Sequence, residues 1–421
     1  MAPKATPTIG AQEISDSYIY LLGRLMVTRQ QQLDFKEGFK WNELIHRKPG
    51  GVDWPNPNLD VAYSEAWVAV DENCYLLVTV PKIEGRYYTV QFLDGWGETL
   101  ANINERIFTD KPYGAFAVCH KGSSVAVPDG TRRIDLPARY SRVLLRVELG
   151  ANWDDAVALQ RQFTFQAVGK PTLRDIPKTL MFDMEKLPGV EAFDSANLAL
   201  DSEADANPRM DSTLAAHTRA IAEAIQDPAE RARVDEVIKE RAFADFARGA
   251  AVIGHGTVKN HWVRPRVCGV YEDDWLARTA VNFGGIWANT MEEVLYYKGL
   301  ADSRGEALHS DHTYTLTFPG DDLPAKYAKY FWSVIAVDSA HKRVLPNPLN
   351  RFLLNKESKL EYGKDGSLTL YFAPKQPAIA PGGNWLPTPG SQGYSLTFRF
   401  YGPRGGVADG TYYPPALQKV S

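Results

Sequence analysis

Apolar residues recur at every second position in two separate blocks of this chain, and a chain so patterned must build sheets with one face buried. In the first block Tyr88, Val90 and Phe92 alternate with Tyr87, Thr89 and Gln91. Val143, Leu145 and Val147 alternate there with Arg142, Leu144 and Arg146. In the second block Tyr314, Leu316 and Phe318 alternate with Thr313, Thr315 and Thr317. Tyr394, Leu396, Phe398 and Phe400 likewise alternate with Ser395, Thr397, Arg399 and Tyr401. Shorter runs at 74–80, 116–119 and 368–372 belong to the same blocks, and 331–337, apolar on both sides, reads as a central strand. Gly, Pro and Asp turns separate the runs, which suits sandwiches better than a βαβ sheet. A jelly-roll or similar closure is expected for the second block.

Around these blocks the period is helical. Ile14, Tyr18, Leu21 and Leu25 share one face of a helix over 11–35 that ends near Gly38, ahead of the breaker Pro49-Gly50-Gly51. This predicts a leading amphipathic helix packed on a neighbour. Asn152 is placed to cap a helix reaching about residue 162, and Asp211 one reaching about 225. Asp227-Pro228-Ala229-Glu230 starts another to about 248, and 274–288 is helical. Thr290-Met291-Glu292-Glu293 resembles a capping box leading into 294–297. Residues 168–210 read as a long connection containing a solvated acidic loop at 201–208. The expected fold class is therefore mainly β with helical segments. It comprises an N-terminal helical segment (1–50), an N-terminal β-sandwich (51–175), a linker and helical region (176–300) and a C-terminal sandwich (301–421). A chain of 421 residues exceeds what one core holds, roughly 250–300 residues, so two domains are the minimum.

A net charge of -4 with no basic stripe excludes a nucleic-acid partner. Three cysteines, Cys74, Cys119 and Cys268, make no disulfide framework and read as buried thiols. No apolar run is long enough for a membrane span. Met1-Ala2-Pro3-Lys4 opens no signal peptide, which points to the cytoplasm, or to export if a leader has been removed. The P-loop, H-E-x-x-H, G-x-S-x-G and C-x-x-C patterns are all missing, and Gly254-His255-Gly256 lacks the third glycine of a dinucleotide loop. His309, Asp311 and His312 would need a bend to share a metal. Asp201, Glu203, Asp205 and Asn207 begin like a calcium loop, but Ala206 replaces its glycine and Ser212 its closing Glu. No metal and no cofactor are expected.

The most chemically suggestive stretch is polar and aromatic. Asn58 precedes Tyr63, and Arg86-Tyr87 leads to Gln91 and Asp94. If Tyr63, Arg86, Tyr87, Gln91 and Asp94 converge, they can orient a small oxygenated ligand and move a proton. Equally, Arg86 and Asp94 could pair to tie a strand to its turn while the tyrosines pack between sheets. Composition and spacing alone favour that plainer reading.

These residues also carry a resemblance. The runs Asn56-Pro57-Asn58-Leu59-Asp60 through Trp67, Gly85 through Asp94, and Arg142 through Arg146 resemble the N-terminal domain of a two-domain family, the paired domains of unknown function 1254 and 1214. Phe331-Trp332-Ser333, Asn347-Pro348, Asp365-Gly366-Ser367, Asn384-Trp385-Leu386-Pro387 and Phe398-Arg399-Phe400-Tyr401 resemble the C-terminal one. The segment Leu59-Asp60-Val61-Ala62-Tyr63 and the acid Asp338 depart from the usual pattern. The resemblance implies an immunoglobulin-like sandwich, a helical portion and a jelly-roll-like sandwich; it brings no reaction.

Three functions compete. The first is a cofactor-free enzyme acting on a small oxygenated organic molecule by hydrolysis, isomerisation or elimination. Asp94 would be its base, Tyr63 or Tyr87 its acid and Arg86 its anion-stabilising group, with Asn58, Gln91, Arg351 and Arg399 on the substrate. The second is a carbohydrate or small-molecule binder that stacks its ligand on Trp96 and Trp385. The third is an assembly protein whose sandwich edges pair into a homo-oligomer.

Overall fold

The computed structural model describes residues 9–420. The first block of alternation closes as a two-sheet sandwich. One sheet is antiparallel throughout, in the order Ile45–His46, Val61–Ala69, Tyr140–Glu148, Tyr88–Leu93, Thr99–Ile103. We call it the N-sheet. It faces a four-stranded sheet of Arg132–Leu136, Gly114–His120, Tyr75–Val80 and Thr164–Val168. Val90, Phe92, Val143, Leu145 and Val147 point inward, as their period requires, and pack on Leu76, Val78, Phe116 and Val118.

The second block does the same with a larger sheet, the C-sheet, ordered Thr257–Lys259, Trp262–Arg264, Val294–Gly299, Tyr394–Pro403, Ala328–Asp338, Leu353–Asn355. Its partner sheet is Trp385–Pro387, Leu368–Ala373, Tyr314–Phe318, Gln418–Lys419. Leu396, Phe398 and Phe400 meet Leu316, Phe318 and Leu370 in this second core. Three C-sheet strands thus come from the stretch 257–299, ahead of the strands that the two-residue period marks.

The expected caps form. Asn152, Asp211 and Asp227 each accept backbone N–H groups at the starts of Trp153–Gln160, Ser212–Ala224 and Pro228–Val237. The last of these continues through a π turn, Ile238–Ala242, into Phe243–Ala251. Two expectations fail. Residues 294–297 are strand, not helix: Thr290 closes one turn by accepting from the amides of Glu293 and Val294. The Glu293 carboxylate is held by Arg106 and does not cap, and the β-branched and aromatic Val294, Tyr296 and Tyr297 favour extension. The acidic stretch is not a solvated loop either, because Glu203, Asp205 and Asn207 are drawn inward by Arg174, Arg278 and Glu98.

The leading helix, α1 (Ala11–Glu37), is buried on nearly every side and not along one stripe. Ser15, Ser17, Arg24 and Thr28 are as buried as Ile14, Tyr18, Leu21 and Leu25. It runs against the helix Trp275–Gly284 through Gly23, whose missing side chain lets the two backbones approach. A Cβ there would stand 2.5 Å from Thr279 Oγ1, while the Thr279 hydroxyl donates to the Ile19 carbonyl at 2.9 Å. No helix among the described residues is long and apolar enough to cross a membrane.

Gly23→Ala should therefore destabilise the fold by about 1–3 kcal/mol through overpacking. Urea unfolding measures this; an unchanged midpoint would mean the helices separate freely.

Candidate functional site

Each large sheet has a second face, and the two face each other. On the N-sheet the outward positions are Tyr63, Glu65, Tyr87, Gln91, Arg142 and Arg146. On the C-sheet they are Tyr296, Lys298, Thr397, Arg399 and Tyr401. Where these faces touch, Val61, Tyr87, Val294, Phe331 and Tyr401 form a small apolar cluster. Beside it the faces separate around a cavity of about 750 Å³, closed by the C-terminal end of the helix Trp275–Gly284 and by the loop through Trp54–Asn58. This volume lies within the range of small-molecule pockets, ~300–1,000 Å³.

Arg146, 2% exposed, is flanked across the ladder by Tyr63 and Thr89. Its Nη1 donates to Gln91 Oε1 at 2.6 Å, its Nη2 to the Trp287 carbonyl at 3.2 Å, and its Nε to Tyr63 Oη at 3.4 Å. Arg399, equally buried, lies across the ladder from Tyr296. Its Nη2 donates to the carbonyls of Asn56 and Pro57 at 2.9 and 3.0 Å, and its Nε and Nη1 have no partner. Lys298 Nζ donates to Asn56 Oδ1 at 2.9 Å. Burial pushes the Lys298 ammonium down to about 7, with Arg399 and Lys342 adding like charge. Among the described residues none of these three cations forms an ion pair. By contrast Arg142, on the same face, pairs with Glu65 at 2.8 Å and Asp34 at 3.5 Å.

The cavity also holds Tyr296, which accepts from Asn289 Nδ2 at 3.0 Å and keeps its own O–H to donate. Burial raises its phenol above the usual range. Cys268 lines the wall, its thiol pushed up to about 12 by burial. The wall is strained. Asn56, Ile253, Ile286, Trp287 and Lys342 all carry positive φ outside glycine, and such strain concentrates at functional sites.

Of the residues singled out from the sequence, Asn58, Tyr63 and Arg399 line this cavity. Gln91 braces Arg146 and also donates to the Ala288 carbonyl. Tyr87 lies in the contact beside the cavity, its hydroxyl 3.4 Å from both Asn289 Oδ1 and Glu293 Oε2. The rest lie elsewhere, so the five-residue convergence does not occur. Arg86 donates to the carbonyls of Glu148 and Leu149 and makes no pair with Asp94. Asp94 Oδ1 shapes its own turn by accepting from the amides of Trp96 and Glu98 at 2.8 and 2.9 Å. Trp96 is not an exposed stacking platform. It lies 4.6 Å from Tyr20 and under Arg278, only 1% exposed. Trp385 is buried and donates to the Ala373 carbonyl, while Arg351 donates to the Trp385 carbonyl at 3.1 Å. Arg146, Lys298 and Tyr296 were missed. Arg146 shows as a polar residue alternating with valines, and Lys298 was hidden because its strand begins in a run that resembles a helix start.

These findings place the chain. Residues 41–167 match the model for a protein of unknown function, DUF1254, and residues 293–405 match that for another, DUF1214. The chain belongs to the two-domain family that carries DUF1254 followed by DUF1214. The crystal structure of the VPA0106 protein from Vibrio parahaemolyticus is similar over 98% of this chain and 100% of its own, with a TM-score of 0.65 at 20% identity, a likeness of fold. A putative uncharacterized protein from Burkholderia cenocepacia aligns over 97% of this chain and 93% of its own, with a TM-score of 0.47 at 13% identity. No curated protein matches the sequence.

Asp94 is fully buried. Burial raises its carboxyl well above the carboxylate range, with Glu203, Glu98 and Asp205 adding to the effect. A group whose folded titration is raised loses stability as pH climbs from its unfolded value near ~4 through the folded one. Asp94→Asn removes that loss while keeping the Oδ1 acceptor. Relative to wild type, D94N should therefore gain thermal stability progressively as pH rises above the unfolded value. A difference in melting temperature that stays constant over that rise would place the proton elsewhere.

Proposed function

We propose that the cavity between the sandwiches binds a small oxygenated organic anion, and that the chain transforms it by general acid–base chemistry without a cofactor. The observation that carries this reading is the charge imbalance. Arg146, Lys298 and Arg399 face the cavity with neutral partners only, although an unpaired buried charge costs several kcal/mol. An anionic ligand supplies what the protein leaves out. Apolar walls from Leu144, Phe283, Ile286 and Trp287 suit the carbon skeleton of such a molecule.

The roles then follow from the atoms present. Arg399 offers its free Nε and Nη1 to an oxyanion. Lys298 titrates near neutrality in the free protein and is protonated beside the bound anion, so it gives a proton to the ligand and takes one back. Tyr296 donates its O–H to the developing charge. With the Cys268 thiol held protonated, proton transfer leading to isomerisation or elimination suits the site better than attack by a protein nucleophile. A second reading, retention without turnover, draws on Trp54. Its indole is 43% exposed while lining the cavity, and it can stack on a ring-shaped or carbohydrate ligand. Recovering the ligand chemically unchanged after saturation would favour this second reading.

Calorimetry of the full chain against small carboxylates tests the proposal. Bound anion favours the charged amine, so Lys298 titrates higher in the complex than in the free protein. Binding above pH about 7 should thus take up as much as one proton, seen as a dependence of the heat on buffer ionisation. Lys298→Met should abolish the uptake. Absence of carboxylate binding to the wild type would sink the proposal.

A further inference from the structure

We infer that the ligand is a dianion whose two oxyanion ends are held by arginines from opposite sheets, Arg146 and Arg399, so that the ligand bridges the two sandwiches. This rests on reading the cavity as an anion site and specifies the class of anion.

Arg146 belongs to the N-terminal sandwich and Arg399 to the C-terminal one, and each is 2% exposed. Every hydrogen-bond acceptor around them is neutral: the Gln91 amide, the Tyr63 hydroxyl and the carbonyls of Trp287, Asn56 and Pro57. Such acceptors orient a guanidinium without cancelling its charge. Guanidiniums do not shed a proton in proteins, so both carry full charge, whereas the Lys298 amine can go neutral. Asp60 lies close enough for Arg399 to act on it electrostatically, but it forms no ion pair with it. Asp60 accepts instead from Ser333 Oγ at 2.5 Å and Asn355 Nδ2 at 3.1 Å, and burial pushes its carboxyl upward. Two unmatched positive charges therefore remain, one on each wall.

Geometry gives them to two groups of one ligand. Each guanidinium has a tyrosine across the ladder on its own sheet, Tyr63 for Arg146 and Tyr296 for Arg399, and the Tyr296 phenol also feels Arg146 across the gap between the sheets. The volume, about 750 Å³, far exceeds that of a lone carboxylate, and its walls include the apolar Leu144, Phe283, Ile286 and Trp287. A dicarboxylate with a short carbon skeleton satisfies both ends at once, and a monoanion leaves one arginine buried and unmatched.

The test is calorimetry on the full chain with succinate, glutarate, adipate and phthalate, each beside the monocarboxylate of the same skeleton: butyrate, valerate, hexanoate and benzoate. At least one dicarboxylate should bind about tenfold or more tightly than its partner, the weight of one charge-assisted contact. Arg146→Gln and Arg399→Gln should each bring that pair to within about twofold, whereas Arg146→Lys and Arg399→Lys, which keep the charge, should retain part of the preference. Equal binding of mono- and dicarboxylates to the wild type overturns the dianion while leaving the anion site standing. Binding of neutral sugars with no carboxylate binding overturns both. The wild-type comparison decides even if a glutamine variant fails to fold.

Discussion

Two sheets, each polar on its outer face, are packed with those faces toward one another, and every polar group trapped between them must find a partner. Much of the molecule follows from this. Arg106 reaches from the N-terminal sandwich to Glu293, which also accepts from Asn104. Glu148 is met by Lys356 at 2.7 Å, and Asp60 by Ser333 and Asn355. A buried ion pair adds little net stability, but breaking one is costly, so these contacts fix how the sandwiches meet. In the cavity this pairing is incomplete. On its walls Arg47 and Arg142 pair with Glu37, Glu65 and Asp34, whereas Arg146, Lys298 and Arg399 form no ion pair, which makes the interface and the candidate site one feature.

Asn56 joins the parts that enclose this space. Its side-chain oxygen accepts from Lys298 and from Thr397 Oγ1, and its amide nitrogen donates to the Gly284 carbonyl. Its backbone carbonyl accepts from Arg399, and its backbone N–H donates to the Lys342 carbonyl. One residue thus ties the N-terminal loop to the end of a helix and to the C-sheet. It does so with φ at 46°, a conformation that asparagine tolerates better than most. The neighbouring wall pays a similar conformational cost at Ile286 and Trp287. That backbone aims the Trp287 and Ala288 carbonyls at Arg146 and Gln91.

Several parts of this were legible in the chain. The alternation at 88–92, 143–147 and 394–400 separated inward from outward residues correctly, because a strand's period is two and one face of each sheet meets a core. The caps at Asn152, Asp211 and Asp227 were legible because a cap is a local hydrogen bond. The pairing of Arg86 with Asp94 was misread, since eight residues of separation say nothing about which nearby carbonyls and amides compete for those side chains. Trp96 and Trp385 are buried, and nothing in their neighbours along the chain reveals what packs over them. Lys298 was hidden by a local resemblance at 290–293 that tertiary pairing with Tyr394–Pro403 overrides.

By itself the sequence determined the family, the two sandwiches, most helix starts and which side chains point away from each core. These depend on periods and contacts within a few residues. Only the tertiary structure decided that the two polar faces are turned toward each other, that α1 is enclosed on nearly all sides, and that Arg146 and Arg399, 253 positions apart, face one cavity. Charge balance inside a protein is a property of groups brought close in space, and spacing along a chain does not encode it. The unmatched cations therefore become visible only once both sheets are in place.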